Sequence, residues 1–305
     1  MKSFLKYIVI FSGIILLSVL SVYTILDMYG WSDWAYKRFT RKGYKSLILG
    51  SSRAAQGVQP SIINEELKNS IYVLPIYNFS FTVSASPYGE VYYNAIVRKI
   101  SGNQSNSGLF IMSVDPWSLS FLSNEDTVGE YREESGCLND IKIYIKPNFI
   151  YLLKYAKPLS FDNVMKLQDD GWLQVNVPMD SVSLNERIES KKREYADVKI
   201  SKSDYRLKWL EKTIDLLKSK GVVFLVRIPA TKYFFDIEEK SWPTFETDMN
   251  VIAKKKAVDY ISFANALGRY RTIDGQHIYK QDGEKFTKDL CDSIKVRINK
   301  RNRND

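Results

Sequence analysis

Two stretches far apart in the chain carry residue types that do chemistry together. Gly50-Ser51-Ser52 closes the short apolar run Leu47-Ile48-Leu49, and Asp274 and His277 stand three positions apart near the other end. A serine hydroxyl is a weak nucleophile until a base takes its proton. An imidazole serves as that base when an acid fixes which ring nitrogen carries hydrogen. His277 is the only histidine in the chain, so any imidazole chemistry runs through it, and multi-histidine metal sites are excluded within one chain. By residue type alone Ser51 and Ser52 are equivalent nucleophiles. Attack of serine on an acyl carbonyl needs neither metal nor cofactor, and none is expected.

The elements around these residues must bring them to one place. Leu47 to Leu49 is too short for a helix, and Gly50 can take backbone angles closed to other residues, so a strand followed by a sharp turn is expected there. Pro60 to Leu67 reads as a helix with proline in its first turn. Ile71 to Phe81 reads as a second strand, Pro87 to Ile100 as a helix, and Gly108 to Trp117 as a third strand, apolar until Asp115. Tyr205 to Lys220 places Leu207, Leu210, Ile214 and Leu217 on one helical face, ended by Gly221. Val222 to Pro229 reads as a buried strand, a helix carries Met249 and Ile252, and Tyr260 to Phe263 is a last short strand. Asp274 and His277 fall in the loop before a helix running from Asp282 to about Ile298. Strands alternating with helices imply right-handed crossovers and a parallel sheet, whose carboxyl edge binds ligands. The expected fold is therefore α/β.

Between about Leu119 and Asp204 the pattern loosens, which reads as an irregular insertion over the ligand edge. Tyr151, Trp172 and Tyr195 are its aromatic candidates, and Glu189 to Glu194 is a charge run expected to lie in solvent. At the N-terminus, Tyr7 to Leu26 is an uncharged stretch of about twenty residues, the length of a membrane-crossing helix. It is long for a signal peptide and lacks small residues at a cut site, so an uncleaved anchor is expected. Lys2 and Lys6 favour a cytoplasmic N-terminus, whereas Lys37, Arg38, Arg41, Lys42 and Lys45 argue the other way. The globular part is taken as extracytoplasmic, with Tyr29, Trp31, Trp34 and Tyr36 at the outer interface. Residues 1–30 are thus an anchor, 31–298 a domain interrupted at about 119–204, and 299–305 a basic tail. The charge balance of 44 Lys and Arg against 35 Asp and Glu gives +9, which favours anionic neighbours. No nucleic-acid module accompanies it, so nucleic acid is not expected as a partner. Cys137 and Cys291 match no metal spacing, and a disulfide between them is not expected.

The quoted residues resemble the SGNH or GDSL-type serine hydrolases and their membrane-tethered envelope relatives, the alginate O-acetyltransferase-like and D-alanyl-lipoteichoic-acid-transfer-like proteins. Gly50-Ser51-Ser52 with Gly57, Asn78-Phe79-Ser80, and Asp274-Gly275-Gln276-His277 carry the resemblance, which covers about Lys45 to Lys295. It implies a flavodoxin-like three-layer sandwich, and it selects Ser52 as nucleophile with His277 as base and Asp274 as the orienting acid. The family's oxyanion hole maps to the N–H of Ser52, the N–H of Ser80 and the side chain of Asn78. Its usual asparagine on the third strand is replaced by Asp115, whose charge would repel an oxyanion. Asp115, Arg227 and Trp172 are candidate substrate contacts, Arg227 being expected to form a rim ion pair or to meet Asp115. The implied activity is acyl transfer, as O-acyltransferase or esterase, on an acylated or acceptor envelope glycan beside a membrane-bound acyl-transfer partner. The alternative is a weak or inactive protein of this fold that binds glycan or docks in an envelope assembly complex.

Overall fold

The computed structural model describes residues 2–29, 38, 44–83, 86, 88–100, 106–122, 164–196, 198 and 200–301. The chain divides into two compact units, residues 1–41 with 140–162, and residues 42–139 with 163–305. Tyr151, Cys137, Trp31, Trp34 and Tyr36 lie outside the described residues.

In the first unit, helix α1 (Lys2–Tyr29) is apolar and uncharged over most of its length, and most of its side chains from Phe4 to Ile25 are exposed. The 24-residue segment Lys2–Ile25 is long and apolar enough to cross a membrane. At a helical rise of 1.5 Å per residue it reaches about 36 Å, more than the hydrocarbon thickness.

The second unit is built on a five-stranded, wholly parallel sheet. Its strands are β1 (Ser46–Leu49), β2 (Ile76–Asn78), β3 (Gly108–Ser113), β8 (Gly221–Arg227) and β9 (Asp259–Ser262), in the order β2-β1-β3-β8-β9. Apart from their ends they are buried along their length, as expected of strands covered on both faces. One layer contains α2 (Ser52–Gly57), α3 (Pro60–Glu66) and α9 (Lys280–Arg301), whose Ala54, Ile63, Phe286, Leu290 and Ile294 join Ile48, Ile111 and Phe224 in one core. Further helices of this unit are α4 (Glu90–Lys99), α6 (Asp204–Lys218), α7 (Lys232–Ser241) and α8 (Phe245–Lys256). The chain reverses direction across the sheet between β1 and β3, and a crevice at such a switch point is where open parallel sheets take ligands.

Two glycines allow close approach within the sheet. Gly50 has φ +136°, and a Cβ there would stand 2.6 Å from the Ser113 Cβ, so the turn after β1 admits no side chain. Gly221 opens β8 instead of ending the preceding helix as expected. A Cβ on it would lie 2.0 Å from the carbonyl oxygen of Gly108, which is why β3 and β8 both begin with glycine.

The structure corrects other expectations. The second strand is only Ile76–Asn78, much shorter than the span read from alternation. The insertion is more regular than expected where it is described. β4 (Ser120–Leu122) pairs antiparallel with β7 (Ile200–Lys202), and β5 (Met165–Leu167) forms a hairpin with β6 (Leu173–Val175). The expected solvent run is the second half of helix α5 (Ser181–Tyr195), N-capped by the Asp180 side chain on Ser183 N.

Candidate active site

Ser52 is the first residue of α2, directly after the Gly50 turn, and Ser51 is the N-cap. Ser51 donates its hydroxyl to Asp115 Oδ2 at 3.1 Å, so the two serines have different surroundings: Ser51 is buried and Ser52 is half-buried. The helix is held from beneath by Asn78. Its amide nitrogen donates to Ala54 O at 2.9 Å and Val58 O at 3.0 Å, tying β2 to the last turn of α2.

At the other end of the chain, Thr272 and Ile278 bridge the base of a tight loop, and Ile273 N donates to His277 O at 2.8 Å. Asp274 Oδ1 accepts from Gln276 N at 3.0 Å and His277 N at 2.9 Å, an arrangement that short side chains such as aspartate make with their own loop. Gly275 takes φ +94° and a Cβ there would meet Phe234 at 2.6 Å, so this loop also requires glycine. Arg187 of α5 braces it by donating to Ile273 O at 2.8 Å.

These two constructions meet. His277 Nδ1 lies 2.7 Å from Asp274 Oδ2, and His277 Nε2 lies 2.7 Å from Ser52 Oγ. A carboxylate accepts only, so Nδ1 carries the hydrogen in the neutral ring, and Nε2 is then the acceptor for the Ser52 hydroxyl. Burial opposes ionisation of Asp274, but His277 and the two backbone N–H groups overrule it and hold the carboxyl far below the usual carboxylate range. The side chain that fixes the imidazole is therefore a permanent anion at neutral pH.

The expected oxyanion donors fare differently. Both Asn78 amide hydrogens are spent on Ala54 and Val58, and the N–H of Ser80 donates to Asn78 Oδ1 at 3.1 Å. Asn78 therefore clamps α2 and Ser80 N–H is internal to that clamp, so neither faces the nucleophile as a free donor. The N–H of Ser52, at the first position of its helix, has no intrahelical acceptor.

Asp115 is buried beyond the end of β3. It accepts from Ser118 N at 2.8 Å and from Ser51 Oγ, and burial pushes its carboxyl up, partly offset by the nearby Arg53 guanidinium. Arg227 is not a rim residue. It is 1% exposed, pairs with Glu238 at 2.9 Å and Glu246 at 2.6 Å, and does not meet Asp115. Both of its Nη nitrogens are taken by carboxylates, Nη1 by Glu239 and Glu246 and Nη2 by Glu238. Trp172, at the β5–β6 turn, donates its indole N–H to Gln56 O at 2.8 Å and so lies against the helix that begins with Ser52.

Sequence reasoning misses a buried ionic chain that starts at Arg53, the residue after Ser52. Arg53 Nη2 lies 2.7 Å from Glu238 Oε1, and Glu238 also accepts from Trp117 Nε1 at 2.8 Å and pairs with Arg227. Glu238 itself is 1% exposed. Arg53 also donates to Gln276 Oε1 at 3.1 Å, linking the residue after Ser52 to the residue before His277. Although burial alone would lower it, the Arg53 pKa is raised by Glu238 and Asp115, so the guanidinium stays charged. Its one signal in the sequence is its position next to Ser52; Glu238 has none among many acidic residues. Tyr195, at the end of α5, packs edge-on against Trp117 at 4.7 Å and Phe234 at 5.9 Å, next to the same charges.

What this arrangement defines chemically is a serine hydroxyl hydrogen-bonded to an imidazole that a buried carboxylate orients, at the switch point of a five-stranded parallel sheet. No protein-family model and no curated protein sequence matches the chain. Among the described residues no cluster of three or more His, Cys, Asp or Glu is placed to hold a metal ion.

Proposed function

We propose that this protein is a membrane-anchored acyl-transfer enzyme of the SGNH type, an O-acyltransferase or esterase acting on a cell-envelope glycan through an acyl-Ser52 intermediate. The observation that carries the reading is the relay from Ser52 Oγ through His277 to Asp274, with both contacts at 2.7 Å. In this reading His277 Nε2 takes the hydroxyl proton as Oγ adds to the acyl carbonyl, and returns it to the departing group. Asp274 holds the tautomer and balances the imidazolium. The helix Lys2–Ile25 would anchor the chain in the membrane, with the second unit on the extracytoplasmic side and a membrane-bound acyl-transfer partner within reach. The glycan as substrate class comes from the family resemblance alone, since a fold does not fix a substrate.

The test uses the full-length chain in detergent with p-nitrophenyl acetate. Ser52→Ala is expected to remove at least about 10³-fold of the turnover. Equal hydrolysis by wild type and Ser52→Ala ends the acyl-enzyme reading. A second reading, a glycan-binding or docking protein without turnover, is favoured by one observation: Asn78 and Ser80 have no donor free for an oxyanion. A fluorophosphonate probe separates the two, since failure to label Ser52 at neutral and mildly alkaline pH selects the binding protein.

A further inference from the structure

The side-chain donor that Asn78 and Asp115 cannot supply has a replacement one residue from the nucleophile. Arg53 follows Ser52 directly, and its guanidinium is fixed at one corner only, where Nη2 meets Glu238 Oε1 at 2.7 Å and Gln276 Oε1 at 3.1 Å. Glu238 is held in turn by Trp117 and Arg227, and Gln276 precedes His277, so the anchor belongs to both halves of the site. Among the described residues, Nε and Nη1 of Arg53 meet no hydrogen-bond acceptor. The Arg53 side chain is 4% exposed. A charged fork with two donors that no protein acceptor takes, on the residue that follows Ser52, is able to donate to an acceptor that enters the site.

We propose that Arg53 is a catalytic residue that donates a charge-assisted hydrogen bond to the substrate acyl oxygen as negative charge develops on it. The proposal rests on the acyl-transfer reading of Ser52. As Ser52 Oγ bonds to the carbonyl carbon, its proton passes to His277 Nε2 and the carbonyl π pair moves onto oxygen. Collapse of that tetrahedral adduct re-forms the carbonyl and expels the leaving oxygen, which takes the proton from His277. Arg53 makes and breaks no covalent bond; it stabilises the oxyanion together with the N–H of Ser52. This also accounts for Asp115. A bare carboxylate at that position would repel the oxyanion, but here it lies within the field of the Arg53 cation and accepts from Ser51 and Ser118. A lysine would not be equivalent, because one nitrogen must stay tethered while others point elsewhere, which only the planar fork allows.

The test measures kcat and KM for p-nitrophenyl acetate, and the stoichiometric release of nitrophenolate from a p-nitrophenyl alkylphosphonate. Full-length wild type, Ser52→Ala, Arg53→Met and Arg53→Lys are compared in detergent, with thermal melts. Arg53→Met is expected to lose about 10²–10³-fold in kcat and in phosphonylation rate, with KM within about threefold of wild type; Arg53→Lys should fall between. Retention of kcat within about threefold in Arg53→Met overturns the proposal. Should Arg53→Met fail to fold, Arg53→Lys decides: wild-type kcat overturns the assignment, and a loss beyond about tenfold at unchanged KM supports it. Phosphonate release that is absent from wild type, or unchanged in Ser52→Ala, overturns the acyl-enzyme reading and Arg53 with it. Release that needs Ser52 but ignores Arg53 overturns Arg53 alone.

Discussion

Asp274→Asn is the substitution whose consequence follows most directly from the hydrogen bonds. Asp274 Oδ1 accepts from two backbone N–H groups, and Oδ2 faces His277 Nδ1. An asparagine would keep its carbonyl oxygen on the two N–H groups, because turning the amide over would leave both unpaired at about 1–3 kcal/mol each. Its NH2 must then face Nδ1, which can accept only if the ring hydrogen moves to Nε2. That places a donor against Ser52 Oγ where an acceptor is needed, and the base is lost while the loop is retained. In a serine-protease triad the equivalent change lowers kcat by roughly 10⁴, or about 5.5 kcal/mol of barrier at about 1.36 kcal/mol per decade. We expect a comparable fall in p-nitrophenyl acetate turnover by the full-length chain, with KM little changed. Turnover by Asp274→Asn within about tenfold of wild type would refute the tautomer argument.

Three further outcomes follow from the geometry. The Asp274 carboxyl is held below its unfolded value, so its stabilisation is present above about pH 4 and is lost as pH falls through the lower folded pKa. Wild type should therefore lose more stability than Asp274→Asn on acidification below about pH 4 in urea titrations, and parallel losses would contradict this. Gly50→Ala puts a methyl group 2.6 Å from Ser113 Cβ at a positive φ and should destabilise by about 2–4 kcal/mol by chemical denaturation. Cys291 is buried and its thiol is pushed up to about 12, so maleimide should modify it only after denaturant is added, as read by peptide mass.

The parallel sheet is legible in the sequence because its strands are short and apolar, three of them beginning or ending at glycine, and because helices of crossover length separate them. The imidazole is legible for a different reason: a lone histidine leaves no competing choice, whereas the preference for Ser52 over Ser51 comes from the family resemblance. Arg227 is misplaced by sequence alone because an arginine at a strand end looks the same whether Glu238, Glu239 and Glu246 enclose it or water does. Those glutamates come from α7 and α8, and α7 itself is absent from the elements expected. Asn78 reads as a donor to substrate because its side chain could do either task; only the positions of the Ala54 and Val58 carbonyls decide. Helix α5 escapes notice since it buries none of its residues and so leaves no apolar stripe, although Asp180 at its cap is a visible start signal. Arg53 has the look of an ordinary surface type, and only the fold encloses it.

Within the second unit the α9 helix packs against α2 and α3 in one core. Ser52 and His277 are separated by 225 positions, so the hydroxyl emerges early in synthesis and waits for nearly the whole chain before it can meet its base. Loop closure over that distance comes late in folding, after the local β-α-β contacts have formed. A chain lacking α9 thus loses the Phe286, Leu290 and Ile294 side of the core that α2 and α3 pack against.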